Sequence, residues 1–347
     1  MTKRNTRNRQ EIFRQLSTLV IFMLMPVILS SCFALRMTYE NTGRVLFDEP
    51  KKIENKIKNP IREDVRLSAL WIGHSSVLLQ IEDKVLLIDP VFNEVIGGLM
   101  LRATEPGVEL KNIPRLDAIL VSHAHMDHLS INTVDEINDL EKFKGARLIF
   151  PNGVEDFLPD YPNLEFVRLG TGNTRKQGYV GETVEFNGMK VTSVFTSHYG
   201  GRYGFDSYLW HLPGCTGFVI EYKGHTVFYP GDTVYDELAF KEIGKKFDID
   251  LALIPIGPCK DCMEVDNHNH VTSFGALKMF EDIKADYMIP VHYGTLTYRN
   301  DTDEPVHALR ELISTEITGS SGSGTESENT LSKKVIILNE GEQHIFK

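Results

Sequence analysis

Mainly apolar runs of four to seven residues, separated by short polar turns, recur along most of this chain. The first runs cover residues 67–72, 77–81 and 85–88, with the polar turn 82–84 between the second and the third. Short apolar runs bounded by turn residues are typical of buried β-strands, and two runs joined by such a turn predict a hairpin. Further strands are predicted at residues 116–121, 147–151, 164–169, 183–186, 190–196, 216–222, 226–229, 250–255, 287–291 and 334–338.

Helical spacing of apolar residues replaces this pattern in a few stretches. Helices are predicted at residues 132–143, 152–158, 237–247 and 272–283, with Asn132 as the candidate N-cap of the first. A weak internal repeat relates residues 76–89 to residues 216–232, since each has a strand, a short turn, a second strand and a terminal aspartate. Two β-rich halves, each followed by helices, predict two sheets packed face to face with the helices outside.

The N-terminus has a different pattern, in which a basic segment precedes the unbroken apolar run 19–29. That run is shorter than the ~20 residues that span a bilayer, but it suits a signal peptide. Leu29-Ser30-Ser31-Cys32 resembles a bacterial lipobox, which implies cleavage before Cys32 and a lipid on that cysteine. The alternatives are an uncleaved signal anchor and a cytosolic protein with an apolar start.

We therefore expect a signal peptide at residues 1–31, a polar tether at 32–65 and a folded domain at 66–347. The lipid would place the protein in the cell envelope as an extracytoplasmic lipoprotein that lies on the membrane without spanning it. With 347 residues, 41% of them hydrophobic, the chain is long enough for a sizeable core. Its net charge of −11 predicts no nucleic-acid partner, because such a partner requires a basic surface.

Cys259 and Cys262 form a lone CxxC pattern among the four cysteines. Without a second cysteine pair this pattern is weak evidence for a zinc site. In an oxidising compartment, a local disulfide is an equally good interpretation.

Three imidazoles and a carboxylate follow the predicted strand 116–121 within six residues, as His123, His125, Asp127 and His128. These are the usual ligands of zinc and similar divalent ions. From the end of an extended strand, His123 and His125 can reach one ion. Asp127 and His128, after the chain turns, can reach a second. Two ions about 3.5–4 Å apart hold a hydroxide and a substrate oxygen together; the alternative is a polar loop without metal.

The sequence His-x-His-x-Asp-His after an apolar strand is similar to the signature of the metallo-β-lactamase superfamily. This resemblance implies an α/β fold, the αββα sandwich of two facing mixed sheets with outer helices. It also implies that the rest of the chain supplies a third histidine, a bridging aspartate and a late histidine.

Three further candidates, His198, Asp232 and His292, stand where predicted strands end. Loops at the ends of a rigid sheet commonly hold catalytic groups. His198 would complete a three-imidazole site with His123 and His125. His292 would complete the second site with Asp127 and His128, and Asp232 would bridge the two sites.

Short motifs around these residues narrow the resemblance. They are Trp71-Ile72-Gly73-His74-Ser75-Ser76, Asp89-Pro90-Val91-Phe92, Pro230-Gly231-Asp232-Thr233, Ile254-Pro255-Ile256-Gly257 and His292-Tyr293-Gly294-Thr295. Together, and in order over roughly residues 66–345, they resemble the N-acyl-phosphatidylethanolamine-hydrolysing phospholipase D branch and its bacterial relatives. Relatives with similar motifs include sugar-lactone hydrolases. The segment 199–217 departs from the mammalian enzyme, which affects the expected acyl-chain pocket.

The resemblance also assigns roles to residues outside the metal-ligand set. His270 lies where the family has an active-site histidine before a helix, and is expected to donate a hydrogen bond to a phosphoryl or leaving-group oxygen. An exposed loop histidine is the alternative, and it is the interpretation we favour for His268. His74 and Asp89 are expected to orient metal ligands without binding an ion themselves.

The expected function is a metal-dependent hydrolase, a phosphodiesterase of phospholipase D type acting on N-acyl phosphatidylethanolamine-like lipids. Two divalent ions, zinc before manganese or iron, would lower the pKa of bridging water from about 15.7 to about 7, giving a hydroxide that attacks phosphorus. Asp127 would take the proton of that water besides binding metal. The alternatives are a lactonase or other ester hydrolase, and a lipoprotein binding module without turnover. The intact ligand set argues against the binding module.

Overall fold

The computed structural model describes residues 41–172, 174–203, 206, 214–296, 302–319 and 330–346. The chain divides at Pro50 into two units, and in the first of them residues 41–47 form a helix, α1. The predicted signal peptide and Cys32 lie outside the described residues. Within the described part of the chain, no helix is both long enough and apolar enough to cross a bilayer.

The short apolar runs of the second unit form strands, which in chain order have the following bounds. They are β1 (Leu67–Gly73), β2 (Ser76–Ile81), β3 (Lys84–Ile88), β4 (Val95–Ile96), β5 (Met100–Leu101), β6 (Ala118–Leu120), β7 (Arg147–Pro151), β8 (Glu165–Leu169), β9 (Val180–Phe186), β10 (Met189–Val194), β11 (Gly217–Tyr222), β12 (His225–Tyr229), β13 (Leu251–Pro255), β14 (Asp266–Asn267), β15 (His270–Val271), β16 (Tyr287–Val291) and β17 (Gln343–Phe346). The helices are α2 (Ile131–Asp139), α3 (Glu237–Lys246), α4 (Ser273–Ile283), α5 (Glu304–Gly319) and α6 (Thr330–Lys334).

Most strands belong to two mixed sheets. One has the order β17-β1-β2-β3-β6-β7-β8 and the other the order β16-β13-β12-β11-β10-β9. In each sheet an antiparallel hairpin, β2–β3 or β11–β12, continues into parallel strands. The structure thus contains the internal repeat that the sequence predicts.

Alternate residues of β1 enter different cores, as the strand period of two requires. Leu67, Ala69 and Trp71 belong to the core that lies between the two sheets and extends to α3 and α4. Leu70 and Ile72 belong to a second core, which the first sheet forms with α2. Two sheets thus face each other with helices on their outer surfaces, which confirms the predicted αββα sandwich.

The predicted last strand at 334–338 is wrong. Val335 forms only an isolated bridge with Met288, and the place beside β1 is taken by β17. Val335 and Leu338 are buried in the core, so the apolar run reflects burial and not strand pairing. The side chains of β17 are only partly buried, which explains why its sequence gives a weak strand signal.

The first long helix also differs from its prediction. Its N-cap is Ser130, whose hydroxyl accepts a hydrogen bond from Thr133 N at 3.2 Å, and not Asn132. The helix ends at Asp139, because Leu140 adopts an extended conformation before a 3-10 turn at Glu141–Phe143. Residues 152–158 contain a 3-10 turn at Val154–Phe157, where we predicted a short helix.

Residues 50–65 belong to the folded unit, although we expected a tether there. Ile57 and Ile61 pack against the core beneath α2. The Lys56 ammonium lies 2.7 Å from the Glu109 carboxylate, and Ile53 N donates to Glu105. The folded unit therefore begins near Pro50, earlier than the expected boundary at residue 66.

Candidate metal centre

The ends of several strands meet at one edge of the sandwich, and the loops that follow them hold the predicted site residues. His74 follows β1, Asp89 follows β3, and His292 follows β16. The two sheets are tied together here, because His292 N donates a backbone hydrogen bond to His74 O at 2.9 Å. Groups that are far apart in sequence therefore converge.

The first group of ligand atoms comes from His123, His125 and His198. His123 Nε2 lies 2.9 Å from His125 Nδ1, and His198 Nε2 lies 3.2 Å from the same nitrogen. The ligand atoms of these three residues and Asp232 all lie within 4.8 Å of one another. When the opposite ring nitrogen carries the proton, each neutral imidazole presents an unprotonated nitrogen to the others, an arrangement that a shared cation satisfies.

The second group comprises His74, Asp127, His128 and His292, all buried. Asp127 Oδ2 lies 3.9 Å from His292 Nε2 and 3.0 Å from His74 Nε2. His74, expected only to orient a ligand, therefore does contact Asp127. Its ring also lies 4.1 Å from the ring of His292.

Asp232 lies between the two groups. Its Oδ2 atom is 3.1 Å from both His128 Nε2 and His292 Nε2, and 3.9 Å from both His123 Nε2 and His198 Nε2. One carboxylate oxygen thus faces imidazoles of both groups, as a bridging ligand must.

Within the part of the chain that the structure describes, several buried polar atoms that point into this site have no hydrogen-bond partner. They include His128 Nε2, His292 Nε2 and Asp232 Oδ1. A buried unpaired polar group costs about 1–3 kcal/mol, so native structures seldom leave one unsatisfied. Nitrogen and carboxylate donors in this arrangement fit divalent metal ions.

The opposite ring nitrogens of the imidazoles have partners that fix the ring orientations. These contacts are His123 Nδ1 to Ser122 Oγ at 2.9 Å, His128 Nδ1 to Asp89 Oδ2 at 2.7 Å, His198 Nδ1 to Asn269 O at 3.1 Å and His292 Nδ1 to Gly257 O at 2.7 Å. A ring whose one nitrogen donates to such an oxygen keeps the other free to bind a metal.

Asp89 is fully buried behind the second group of ligand atoms, where it accepts several hydrogen bonds. Its Oδ1 accepts from Ser122 N at 2.7 Å, and its Oδ2 accepts from Ser122 Oγ at 2.6 Å and His128 Nδ1 at 2.7 Å. The hydroxyl of Tyr229, on the opposite sheet, also donates to Oδ2. Asp89 therefore holds both a candidate ligand and the start of the loop that contains it.

Backbone conformation at the strand ends is unusual for residues with side chains. His74, Asp89 and His292 have φ angles of 52°, 39° and 63°, in the left-handed region. Non-glycine residues adopt this region rarely, and it is frequent at functional sites. Before Asp232, Gly231 has φ 64°, and a Cβ atom there would lie 2.9 Å from Ser122 Cβ.

Burial keeps most of the imidazoles neutral. It lowers the pKa of His74 to about 3 and that of His125 to about 4. The pKa values of His123 and His198 also lie well below the ordinary value, mainly because of burial. These side chains are therefore in the neutral form that binds metals at pH 7.

The two carboxylates and His128 stabilise one another's charges, and a cation bound at His128 Nε2 would replace the proton there. Burial disfavours charge on His128, but Asp232 and Asp89 outweigh it and raise the pKa of that imidazole well above the ordinary value. Burial likewise opposes ionisation of Asp127 and Asp232, but neighbouring histidines outweigh it and hold both pKa values well below the ordinary range. Both carboxylates are therefore ionised.

The remaining predicted residues divide into those at the site and those away from it. His270 lies at the opening, with Nε2 3.2 Å from Asp232 Oδ2 and a side chain that is 21% exposed. His268 is exposed. Cys259 and Cys262 form a disulfide, which favours that interpretation of the CxxC pattern over a zinc site.

The sequence did not identify some residues that contact the site. Tyr229 lies within a buried strand, where nothing distinguishes it from a core residue. The ring of Tyr199 stacks on that of His198, with centroids 4.6 Å apart. Only its position directly after His198 could have indicated this contact.

Known proteins that resemble this chain in sequence or fold include metal-dependent hydrolases, as a site of clustered metal-ligating residues would suggest. The family model described as a beta-lactamase superfamily domain matches residues 84–293. The Caenorhabditis elegans N-acyl-phosphatidylethanolamine-hydrolyzing phospholipase D 1 is 27% identical over 295 residues, which is 80% of this chain and 78% of that protein. A metal-dependent hydrolase of Methanosarcina barkeri is 30% identical over 259 residues, 73% of this chain and 95% of that protein. Among solved structures, a metallo hydrolase from Ignicoccus hospitalis has the same fold, with a TM-score of 0.53, 18% identity, and coverage of 81% of this chain and 98% of that one.

Proposed function

This chain belongs to the metallo-β-lactamase superfamily of metal-dependent hydrolases, and we propose that it is a phosphodiesterase of phospholipase D type. The substrate class we propose is N-acyl phosphatidylethanolamine-like lipids. The observation that supports this most directly is the pair of adjoining ligand groups that face one oxygen of Asp232. The similarity to the Caenorhabditis elegans enzyme supports the substrate class.

We propose that two divalent ions, zinc by preference, occupy these groups. One would be held by His123, His125 and His198, and the other by Asp127, His128 and His292, with Asp232 between them. Paired ions of this kind supply a water with a pKa near 7 and polarise the oxygen of a phosphoryl group. The nitrogen-rich donor set favours zinc over harder ions.

Side chains of the protein would accept and donate the protons that the reaction transfers. Phospholipase D cleavage breaks the bond between phosphorus and the head-group oxygen, while an oxygen from water becomes bonded to phosphorus. Asp127, ionised and buried, would accept the proton that the attacking water loses. His270, at the opening of the site, would donate a proton to the departing head-group alkoxide.

We also propose that the protein is anchored to the membrane on the extracytoplasmic side through a lipid on Cys32. The support is the apolar run 19–29 followed by Leu29-Ser30-Ser31-Cys32. Such an anchor would hold the site close to phospholipid substrates.

The test uses the purified full-length chain, loaded with zinc, on three substrates. These are an N-acyl phosphatidylethanolamine, bis(p-nitrophenyl) phosphate and a lactone. We expect release of N-acylethanolamine together with phosphatidic acid, and slower cleavage of the model phosphodiester. His268→Ala should retain this activity, because His268 is exposed, whereas His125→Ala should lose it.

Two outcomes would overturn the proposal. Turnover of the lactone alone would indicate an ester hydrolase that uses the same site on a carbonyl. No turnover of any of the three substrates at full metal occupancy would indicate a binding module.

A further inference from the structure

Four of the proposed metal ligands lie on one irregular loop. Between β6 and α2 the chain has neither helix nor strand, and residues 126–128 form a turn. Within this loop, His128 N and Leu129 N donate to His125 O at 3.0 and 2.9 Å. Ligand atoms must be held within a few tenths of an ångström to bind a metal tightly, so such a loop needs support from outside.

Arg202 supplies that support from a distant part of the sequence. Its Nη1 atom donates to the carbonyl oxygen of Ala124 at 3.0 Å and also to that of Leu129. In the reverse direction, Met126 N donates to the carbonyl oxygen of Arg202 at 3.0 Å. One residue thus binds the loop at its beginning, its middle and its end.

The guanidinium group is well placed to act as a rigid clamp. It is partly buried, and burial lowers its pKa, but an arginine side chain stays protonated at neutral pH. A partly buried cation that donates to two carbonyl oxygens restricts the distance between them. The turn that presents it is itself held, because Arg202 N donates to Asp206 Oδ2 at 2.8 Å and Tyr203 N donates to Asp206 Oδ1 at 3.0 Å.

We propose that Arg202 is a positioning residue for the metal centre. By joining the carbonyls of Ala124 and Leu129, it sets the directions in which His125, Asp127 and His128 leave the loop. This inference rests on the proposed function, since it assumes that these side chains bind metal. Arg202 itself contacts neither ion nor substrate in this scheme.

The expected loss of zinc affinity and activity can be taken from the effect of removing other residues that hydrogen-bond metal ligands. Removing such a partner typically weakens metal affinity or activity by about 10–100-fold. We expect Arg202→Ala to lower zinc affinity and kcat by this factor, and to leave KM within about twofold, because no substrate contact is lost. Arg202→Lys keeps the charge but loses the fixed planar directions of the Nη1 N–H groups, so it should give an intermediate loss.

The experiment compares the full-length wild type with Arg202→Ala, Arg202→Lys and Arg168→Ala. Arg168 is a matched control, because its side chain is 61% exposed and its partner Glu155 lies outside the site. Zinc affinity is measured by competition with a chelator, and ligand geometry by the absorption spectrum of the cobalt-substituted protein. Amide hydrogen exchange of residues 122–130 is measured in the metal-free proteins, with residues 217–229 as the internal reference.

We expect weaker zinc binding, a changed cobalt spectrum and exchange of residues 122–130 that is faster by about tenfold or more, only in the Arg202 variants. Wild-type zinc affinity, spectrum and exchange in a folded Arg202→Ala protein would overturn the proposal. If Arg202→Ala does not fold, Arg202→Lys is judged by the same criteria. If the wild type binds no metal, the proposed function falls, and the exchange of residues 122–130 alone decides whether Arg202 holds the loop.

Discussion

Replacing Asp89 by asparagine tests how strongly the metal centre depends on a residue behind it. Asp89 Oδ2 accepts three hydrogen bonds and Oδ1 accepts one, from Ser122, His128 and Tyr229. The four groups that contact Asp89, two of them on Ser122, are all hydrogen-bond donors. An asparagine side chain, by contrast, has only one acceptor atom. Whichever way the new amide is turned, at least one donor faces its NH2 group.

The better orientation of the asparagine loses only the bond from Ser122 N, and the other orientation loses three bonds. A hydrogen bond to a charged group contributes about 1.5–3 kcal/mol, and a buried unpaired donor costs about 1–3 kcal/mol. We therefore expect the Asp89→Asn variant to lose about 2–4 kcal/mol of unfolding free energy in its metal-free form. Because the acceptor of His128 Nδ1 becomes a neutral amide oxygen and Ser122 N at the start of the ligand loop is no longer held, zinc affinity should fall by about 10–100-fold.

The assay is urea unfolding followed by circular dichroism, together with zinc titration against a competing chelator. Asp250→Asn is the matched control, because Asp250 Oδ2 accepts from Thr226 N at 2.6 Å at the other end of β12. There the amide oxygen can replace the carboxylate oxygen, so we expect a loss of about 1 kcal/mol or less and no change in zinc affinity. An Asp89→Asn variant that unfolds and binds zinc like the wild type would refute the reasoning.

Three further predictions concern the same site. His125→Ala should lose most of its bound metal and its turnover while keeping the wild-type circular dichroism spectrum. Elemental analysis measures the bound metal. A metal content equal to that of His268→Ala would contradict this prediction. Tyr229→Phe should lower the unfolding free energy by about 1–2 kcal/mol, less than Asp89→Asn, because Asp89 keeps its other donors. Metal-free protein should lose stability as the pH falls from about 6.5 towards 4, since the unfolded chain then binds protons on His74 and His125 while the folded protein, with pKa values of about 3 and about 4, does not. Thermal unfolding at both ends of this range measures the last effect, and a midpoint independent of pH would contradict it.

The fold was predictable because its signals are local. The hairpins β2–β3 and β11–β12 each have an apolar run on both sides of a short turn, and the repeat between 76–89 and 216–232 reflects two equivalent half-sheets. The strand β17 and the helix α5 were not predicted. The position of β17 depends on pairing with β1, far away in the sequence, and not on its own hydrophobicity.

The candidate site also contains residues that the sequence indicated and residues that it did not. The residues from His123 to His128 are close in sequence, and His198, Asp232 and His292 each follow a predicted strand, so topology alone brings them near one another. Tyr229 and Arg202 gave no such signal. Their roles depend on hydrogen bonds across long sequence separations, which neither residue type nor periodicity encodes.

The measurement that tests the central claim most directly is a crystal structure of the zinc-loaded protein with anomalous diffraction data collected at the zinc edge. We predict two peaks about 3.5–4 Å apart, one within bonding distance of His123, His125 and His198, and the other within bonding distance of Asp127, His128 and His292. Asp232 should lie between them. A single peak, or zinc bound elsewhere on a chain with these side chains in place, would contradict the claim that the two groups form one binuclear centre.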